Sequence, residues 1–330
     1  MDKIDFVLLW VDGNDPAWLE QKNQYSPKKV DFSTSDNRFR DWDNLQYWFR
    51  GVEKYAPWVN NIYFITWGHL PKWLNTEHPK LKIVKHADYI PEQYLPTFNS
   101  DTIETNLFRL DELSETFVLF NDDFFLIDSV KPEDFFHNGL PCDSFVENLI
   151  APVGRAGITH TKVVITDIIN DHFKKREVHK RIRGKIYNSK YGMQNLITLY
   201  FSPFSYFTGF RNPHIAQSHL KSTFLEIWEK ESVALDTSCK NRFRGTNDVS
   251  HWLMRYWNLC SGNFEPRRIS FGRYFEAKRS NGALCSYIRE HKGKTVCIND
   301  MAGDYIFEEA RDEINAALRD ILSEPSGFEK

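Results

Sequence analysis

Ile4-Asp5-Phe6-Val7-Leu8-Leu9-Trp10-Val11 is an almost unbroken apolar run that stops abruptly at Asp12-Gly13-Asn14-Asp15-Pro16. Continuous rather than alternating hydrophobicity, closed by turn-forming residues, predicts a strand covered on both faces. The pattern recurs along the chain. Asn61 to Trp67 ends at Gly68-His69, and Leu81 to Lys85 ends at His86 and Asp88. Thr116 to Phe120 ends at Asn121-Asp122-Asp123, and Thr295 to Ile298 ends at Asn299-Asp300. Helical patterns fall between these runs. Asn44 to Tyr55 sets Leu45, Trp48, Phe49 and Val52 on one face, and Pro57 stops it. A second pattern opens at Asn99-Ser100-Asp101 and carries Ile103, Leu107 and Leu110. Alternating strands and helices predict an α/β fold with a Rossmann-like, mostly parallel sheet over residues 1–150.

The rest of the chain differs in character. Between Asn170 and Lys190 lie Lys174, Lys175, Arg176, Lys180, Arg181, Arg183, Lys185 and Lys190. Such a run is either a solvated helix face or lid, or a surface for a polyanionic acceptor or anionic lipid. Beyond it come helical patterns at Leu220 to Ser232, Asp248 to Ser261 and Ile306 to Leu322. The expected layout is a single unit over 1–330, with the α/β core at 1–150 and 205–305 and a helical insertion or lid at 151–204.

Composition narrows the class. The 42 Lys+Arg nearly cancel the 45 Asp+Glu, for a net charge of −3, which excludes a bulk cationic nucleic-acid binder and an acidic disordered tail. A 41% hydrophobic content supplies a sizeable core, and the 15% aromatic content suits either that core or sugar-stacking clefts. The five cysteines are odd in number and lack C-x-x-C spacing, so reduced thiols in a cytoplasmic protein are expected. The first apolar run is too short for a membrane span, leaving at most peripheral membrane contact.

In open α/β sheets, ligands gather at the carboxyl ends of strands. Those ends here carry Asp12, Asp15, Asp122, Asp123, Asn299 and Asp300, an oxygen-rich set suited to a hard divalent cation; solvated turns are the plainer reading of any one of them. Asn99 and Ser100 suit a helix N-cap, or a phosphate site at a helix start. His214 and His219 flank Ile215 to Ser218, and their five-residue spacing speaks against a shared metal. Either is a structural histidine or a general base. Arg242 and Arg244 precede a helix, where a planar guanidinium fork suits phosphate and a pairing with Asp248 is the alternative. P-loop, dinucleotide and nucleophile-elbow motifs are absent from the sequence.

Four blocks in order resemble the stealth family, which includes bacterial capsular polysaccharide phosphotransferases and the catalytic subunit of the lysosomal-enzyme GlcNAc-1-phosphotransferase. The first spans Ile4 to Pro16. The second runs from Arg40-Asp41 through Glu53 to Val59, Pro71 to Leu74, Leu95 to Ser100 and Ile103-Glu104, to Asn121-Asp122-Asp123. The third covers His214 to Trp257, and the fourth is Val296 to Asp300. Leu8-Leu9 stands where the family has Tyr-Thr, and the tight His-x-Pro-His of the third block is loosened here to Pro213-His214 and His219.

The resemblance implies a glycosyltransferase-A-like fold and transfer of a hexose 1-phosphate, such as GlcNAc-1-phosphate, from a nucleotide-sugar donor to a polysaccharide or oligosaccharide acceptor. UMP would be released in capsule or exopolysaccharide synthesis. Mg²⁺ (or Mn²⁺) would be held by Asp122, Asp123 and Asp300, with Asp12 assisting. His219, sitting directly before the helix, would be the base, with His214 second. Arg244 would balance phosphate charge, and Arg40, Asn99, Ser100, Glu104 and Asn299 would bind substrate. The alternatives are a metal-dependent glycosyltransferase releasing UDP and a non-catalytic glycan-binding protein.

Overall fold

Four of the expected strands lie side by side in the computed structural model, which describes residues 3–26, 40–153, 158–300 and 305–330. They are β1 (Ile4–Leu9), β2 (Ile62–Thr66), β3 (Leu81–Lys85) and β4 (Thr116–Asn121), parallel to one another in the order β3-β2-β1-β4. The fold is therefore the expected α/β type, with a Rossmann-like, mostly parallel sheet. Leu9 pairs with Asn121, so β1 and β4 end side by side. That edge is where Asp122 and Asp123 emerge.

Alternation along each strand feeds two apolar clusters. Phe6 and Leu8 of β1, Phe64 of β2, and Val118 and Phe120 of β4 pack in one. Val7, Leu9, Tyr63, Ile65, Phe117 and Leu119 pack in the other. Helix α1 (Leu45–Tyr55) and helix α4 (Phe307–Ile321) contribute to the first face, and α3 (Trp252–Ser261) to the second. Asp5 is fully buried in β1 but satisfied: its Oδ1 accepts from Asn60 Nδ2 at 2.7 Å and Asn61 N at 3.0 Å, and its Oδ2 from Ser114 N at 2.8 Å. A buried carboxylate with three donors pins the starts of neighbouring strands instead of costing stability.

One expected strand lies outside the main sheet, and one expectation needs correction. The apolar run Thr295 to Ile298 does form a strand, Thr295–Asn299, yet it does not join the main sheet. It pairs parallel with Gly272–Glu276 and antiparallel with Phe124–Leu126, and the Ile298 amide donates to the Asp123 carbonyl at 2.9 Å. The segment before the Leu220 helix is itself a strand, Gln217–Leu220, antiparallel to β4 at the sheet edge; its polar residues are buried. The helix that follows starts at Lys221.

Helix α2 (Ile158–His172) opens a stretch that is helical almost throughout to Phe201, the helical insertion expected from the sequence. Several of its basic residues are structural. Lys175 meets Glu147 at 2.6 Å in the interior, Arg181 donates to the Cys260 carbonyl, and Lys185 donates to the carbonyls of Gly262 and Phe264. All five cysteines are buried and unpaired. Among the described residues, no helix is long and apolar enough to cross a membrane.

Candidate active site

A cleft of about 870 Å³ opens at the carboxyl ends of β1 and β4. It receives Asn121, Asp122 and Asp123 from the end of β4, Asn299 and Asp300 from the smaller sheet, and Arg40 and Asp41 from the chain before α1. The loop between the insertion and the edge strand contributes Arg211, Asn212 and His214. Seven Lys or Arg side chains line the cleft (Arg40, Lys162, Arg211, Arg244, Arg267, Arg268 and Arg273) against four Asp (Asp41, Asp122, Asp123 and Asp300). That balance favours an anionic ligand carrying several charges.

The loop bearing Arg211 and His214 is held from behind. Arg255 on α3 makes a bidentate pair with Asp143, with Nε at 2.6 Å from Oδ2 and Nη2 at 3.0 Å from Oδ1. Its remaining Nη1 donates to the Arg211 carbonyl and to Asn212 Oδ1, both at 3.1 Å. Planar guanidinium geometry is what lets one side chain grip a carboxylate and a loop together. His214 itself has a left-handed backbone, with φ of 49°, a conformation that costs a non-glycine residue about 1–2 kcal/mol. Its ring lies against Phe124, Trp252 and Tyr274. Burial, together with Lys162 and Arg244, pushes its pKa down to about 4, so the ring is neutral near pH 7.

The carboxylates behave oppositely. Asp123 is pushed up to about 7, first by burial and then by Asp122; Asp122 is pushed up to about 6 by confinement and by Asp41. The Asp122 side chain nonetheless meets the cleft solvent, which tempers its shift. Asp123 Oδ1 is buried and makes no hydrogen bond among the described residues, while Oδ2 accepts from the Cys297 thiol at 3.3 Å. Ligand atoms of Asp123, His214 and Cys297 all lie within 4.8 Å of one another.

On the third wall, Asn99 caps helix Ser100–Thr105, accepting from Asp101 N at 3.1 Å. Arg244 donates to the Ser100 hydroxyl and lies 3.7 Å from the Asp101 carboxylate. Arg40 sits over the Phe307 ring, 3.7 Å from Asp300, whose other oxygen accepts from Tyr305.

The structure thus gathers His214, Arg244, Asp122, Asp123, Asp300, Arg40, Ser100 and Asn299 around one cleft. Four expected site residues stand outside its walls. His219 is wholly buried in the edge strand, against Phe117 and 3.1 Å from His251, so it has no access to an acceptor hydroxyl. His214, the second histidine of that expectation, does line the cleft. Asp12 spends a carboxylate oxygen on the Asn14 amide within its own turn. Asn99 is fully buried, and its amide binds Asp248 at 2.8 Å, which fixes the loop carrying Arg244. Glu104 is buried behind the wall, its pKa raised to about 8 by desolvation. Asp15, grouped with the strand-end oxygens, caps its own helix by accepting from Trp18 N at 2.8 Å. Sequence reasoning missed Lys162, Arg211, Arg267, Arg268 and Arg273. The Arg267-Arg268 doublet, and Arg211 immediately before the Asn212 segment, were the available signals.

Comparisons with known proteins agree with the first two of the four sequence blocks. Stealth protein CR1, conserved region 1, matches residues 2–30, and stealth protein CR2, conserved region 2, matches residues 38–142. The chain is 46% identical to a capsular polysaccharide phosphotransferase WcwK of Streptococcus pneumoniae over 100% of both chains. It is 38% identical to the exopolysaccharide phosphotransferase cps2G of Lactiplantibacillus plantarum, over 99% of this chain and 96% of that one. Among solved structures, a galactosyltransferase LgtC in complex with donor and acceptor sugar analogs aligns over 98% of each chain, at 10% identity and a TM-score of 0.38. With two conserved regions in place and full-length identity of this order, the chain belongs to the stealth family of polysaccharide phosphotransferases.

Proposed function

We propose that the protein transfers a hexose 1-phosphate, such as GlcNAc-1-phosphate, from a nucleotide sugar to a hydroxyl of a capsule or exopolysaccharide glycan, releasing UMP. The acceptor oxygen forms a bond to the sugar-bearing phosphorus, the bridging P–O bond breaks, and the electron pair leaves with the nucleotide. The sugar C1–O bond is untouched, so its anomeric configuration is retained.

The supporting observation is the set of buried cationic donors in the cleft wall. Arg211 Nη1 and Arg244 Nε are buried and make no hydrogen bond among the described residues. A buried donor without a hydrogen bond is costly to keep, even for Arg244 Nε with the Asp101 carboxylate 3.7 Å away, and a pyrophosphate has enough oxygens to meet several of them. Arg244 and Arg211 would hold the equatorial phosphate oxygens as charge redistributes, since phosphoryl transfer asks mainly for positioning and electrostatic stabilisation. His214, neutral at working pH, would accept the hydroxyl proton. Burial is the main reason its pKa is low, and an anionic donor bound beside Lys162 and Arg244 would offset the smaller part that those two charges add.

A divalent cation, Mg²⁺ or Mn²⁺, fits the acidic side of the cleft. Asp123 Oδ1 is an orphaned buried acceptor, and Asp122 adjoins it. The Cys297 thiol is held well above its usual pKa by burial and by Asp123, so it stays protonated and leaves an oxygen-rich donor set. Asp122 and Asp123 would hold the ion, which would supply charge neutralisation at the leaving phosphate.

Phosphorus-31 NMR of the product tests the reading. A phosphodiester resonance in glycan isolated after reaction is the expected result. A product without phosphorus would identify a glycosyltransferase instead.

A further inference from the structure

Residues 191–210 contain no charged side chain, yet much of this stretch faces solvent. The short helix Asn195–Phe201 buries only Thr198 and Phe201. Its outward face and flanking turns present Met193 (82% exposed), Leu196 (60%), Tyr200 (71%) and Tyr206 (69%), with Leu199 and Phe204 beside them. A surface helix ordinarily turns polar residues outward, and a contiguous apolar patch of this kind marks an interaction surface.

The patch has a basic border. Lys175 donates to the Phe201 carbonyl at 2.6 Å, Tyr191 to the Lys185 carbonyl at 2.9 Å, and Asn195 to the Asn188 carbonyl at 2.8 Å. The first bond ties the apolar helix to the helix Lys175–Arg181, the second ties Tyr191, just ahead of it, to the helix Arg183–Ile186, and the third ties the start of the apolar helix to Asn188 between them. Lys174, Arg176, Lys180 and Arg183 remain exposed there. Of the eight Lys or Arg between 170 and 190, Lys175 is paired with Glu147 and Lys185 with Glu265, and Arg181 and Lys190 donate to carbonyls, so Lys174, Arg176, Lys180 and Arg183 are the cations this face offers, with Asp171 and Glu177 the acids of the same stretch. The basic run, read from sequence as a solvated face or an anion surface, therefore adjoins a stretch of strongly exposed apolar side chains.

We infer that this face docks on an anionic lipid bilayer, with the 193–206 side chains entering the interfacial region and the neighbouring cations contacting lipid headgroups. Charge complementarity selects the lipid surface, and the apolar content separates it from a soluble polyanion, which offers Leu196, Leu199 and Met193 nothing to bury against. Tyr200 and Tyr206 suit the headgroup level, where an apolar ring and a polar tip are both satisfied. Such interfacial binding combines buried apolar area with attraction to anionic lipid. The inference does not rest on the reaction proposed above, because its test reads binding without turnover.

The test is co-sedimentation of the full chain with sucrose-loaded vesicles of pure phosphatidylcholine or of phosphatidylcholine with phosphatidylglycerol. Binding to the anionic vesicles should be at least about tenfold tighter and should weaken in high salt, because each cation at such a surface contributes roughly fivefold. The pair L196E/Y200E, which alters only exposed positions, and the triple R176Q/K180Q/R183Q should each weaken binding by about tenfold or more. Equal recovery with and without anionic lipid would overturn the inference. So would loss in the charge variant with full retention in L196E/Y200E, which would make the face a polyanion surface without insertion.

Discussion

His214 and His219 lie five residues apart on one stretch of chain, and the structure sends the first into the cleft wall while enclosing the second in the core, 3.1 Å from His251. An antiparallel edge strand explains the split. His219 pairs with Phe117 of β4, and its ring packs between Phe117 and Phe224. His214 sits ahead of that strand, in the loop gripped by Arg255 through Arg211 and Asn212.

Replacing each histidine should therefore separate chemistry from stability. His214→Ala should lower kcat by about 10²–10⁴-fold in a protein that still folds cooperatively. His219→Ala should leave kcat within a few fold while destabilising the fold by roughly 1–3 kcal/mol, the usual loss for a buried side chain. Kinetics and denaturant titration on both variants check this, and an inactive but fully stable His219→Ala would return the base to His219.

Arg244 is tied to the helix start at Ser100 and Asp101. Arg244→Gln should reduce kcat by roughly 10²–10³-fold, the scale for losing one preorganised charge-stabilising donor. Ser100→Ala, which only loosens that guanidinium, should cost less. Steady-state kinetics would show an equal loss in both if Ser100 itself contacts the donor.

The Arg255–Asp143 pair should matter to stability and to positioning together. Arg255→Met strands a buried carboxylate and should cost about 3–5 kcal/mol in urea denaturation. Arg255→Lys should rescue little, since an ammonium cannot make the bidentate contact and still reach the Arg211 carbonyl.

The fold was legible from sequence wherever burial is two-sided, because a strand such as Ile4–Leu9 then reads as an unbroken apolar run. It was illegible at Gln217–Leu220, where buried polar residues carry a strand whose stability comes from its pairing with β4 and not from its own composition. In the site, Asp122 and Asp123 could be found because strand ends are where ligands gather. Lys162 lies about a hundred residues ahead of Arg267 and Arg273 in the chain, so only the folding of these segments onto one cleft brings the three together. The grouping of Asp123, His214 and Cys297 likewise has no signature in sequence spacing.

Metal and pH should act on Asp123 in linked ways. Its pKa is raised from the ordinary carboxylate value to about 7 in the metal-free protein. The folded state then binds a proton that the unfolded state releases, so the associated stability is complete below about pH 4 and is lost as pH rises through 7. In EDTA, Asp123→Asn should accordingly raise the Tm at pH 8, by roughly a few degrees, and leave it nearly unchanged at pH 4. With Mg²⁺ or Mn²⁺ at pH 8 the wild type should gain stability and the variant should not. Differential scanning fluorimetry across these conditions is the check, and a cation-induced gain of equal size in both proteins would remove Asp123 from the ion's ligands.

The most direct test of the central claim is the identity of the nucleotide released when the protein turns over a panel of UDP-sugars with a capsule oligosaccharide acceptor. Chromatography should show UMP, formed in proportion to product and abolished by EDTA. Release of UDP would contradict the account, because it would place the attack on the sugar carbon and not on phosphorus.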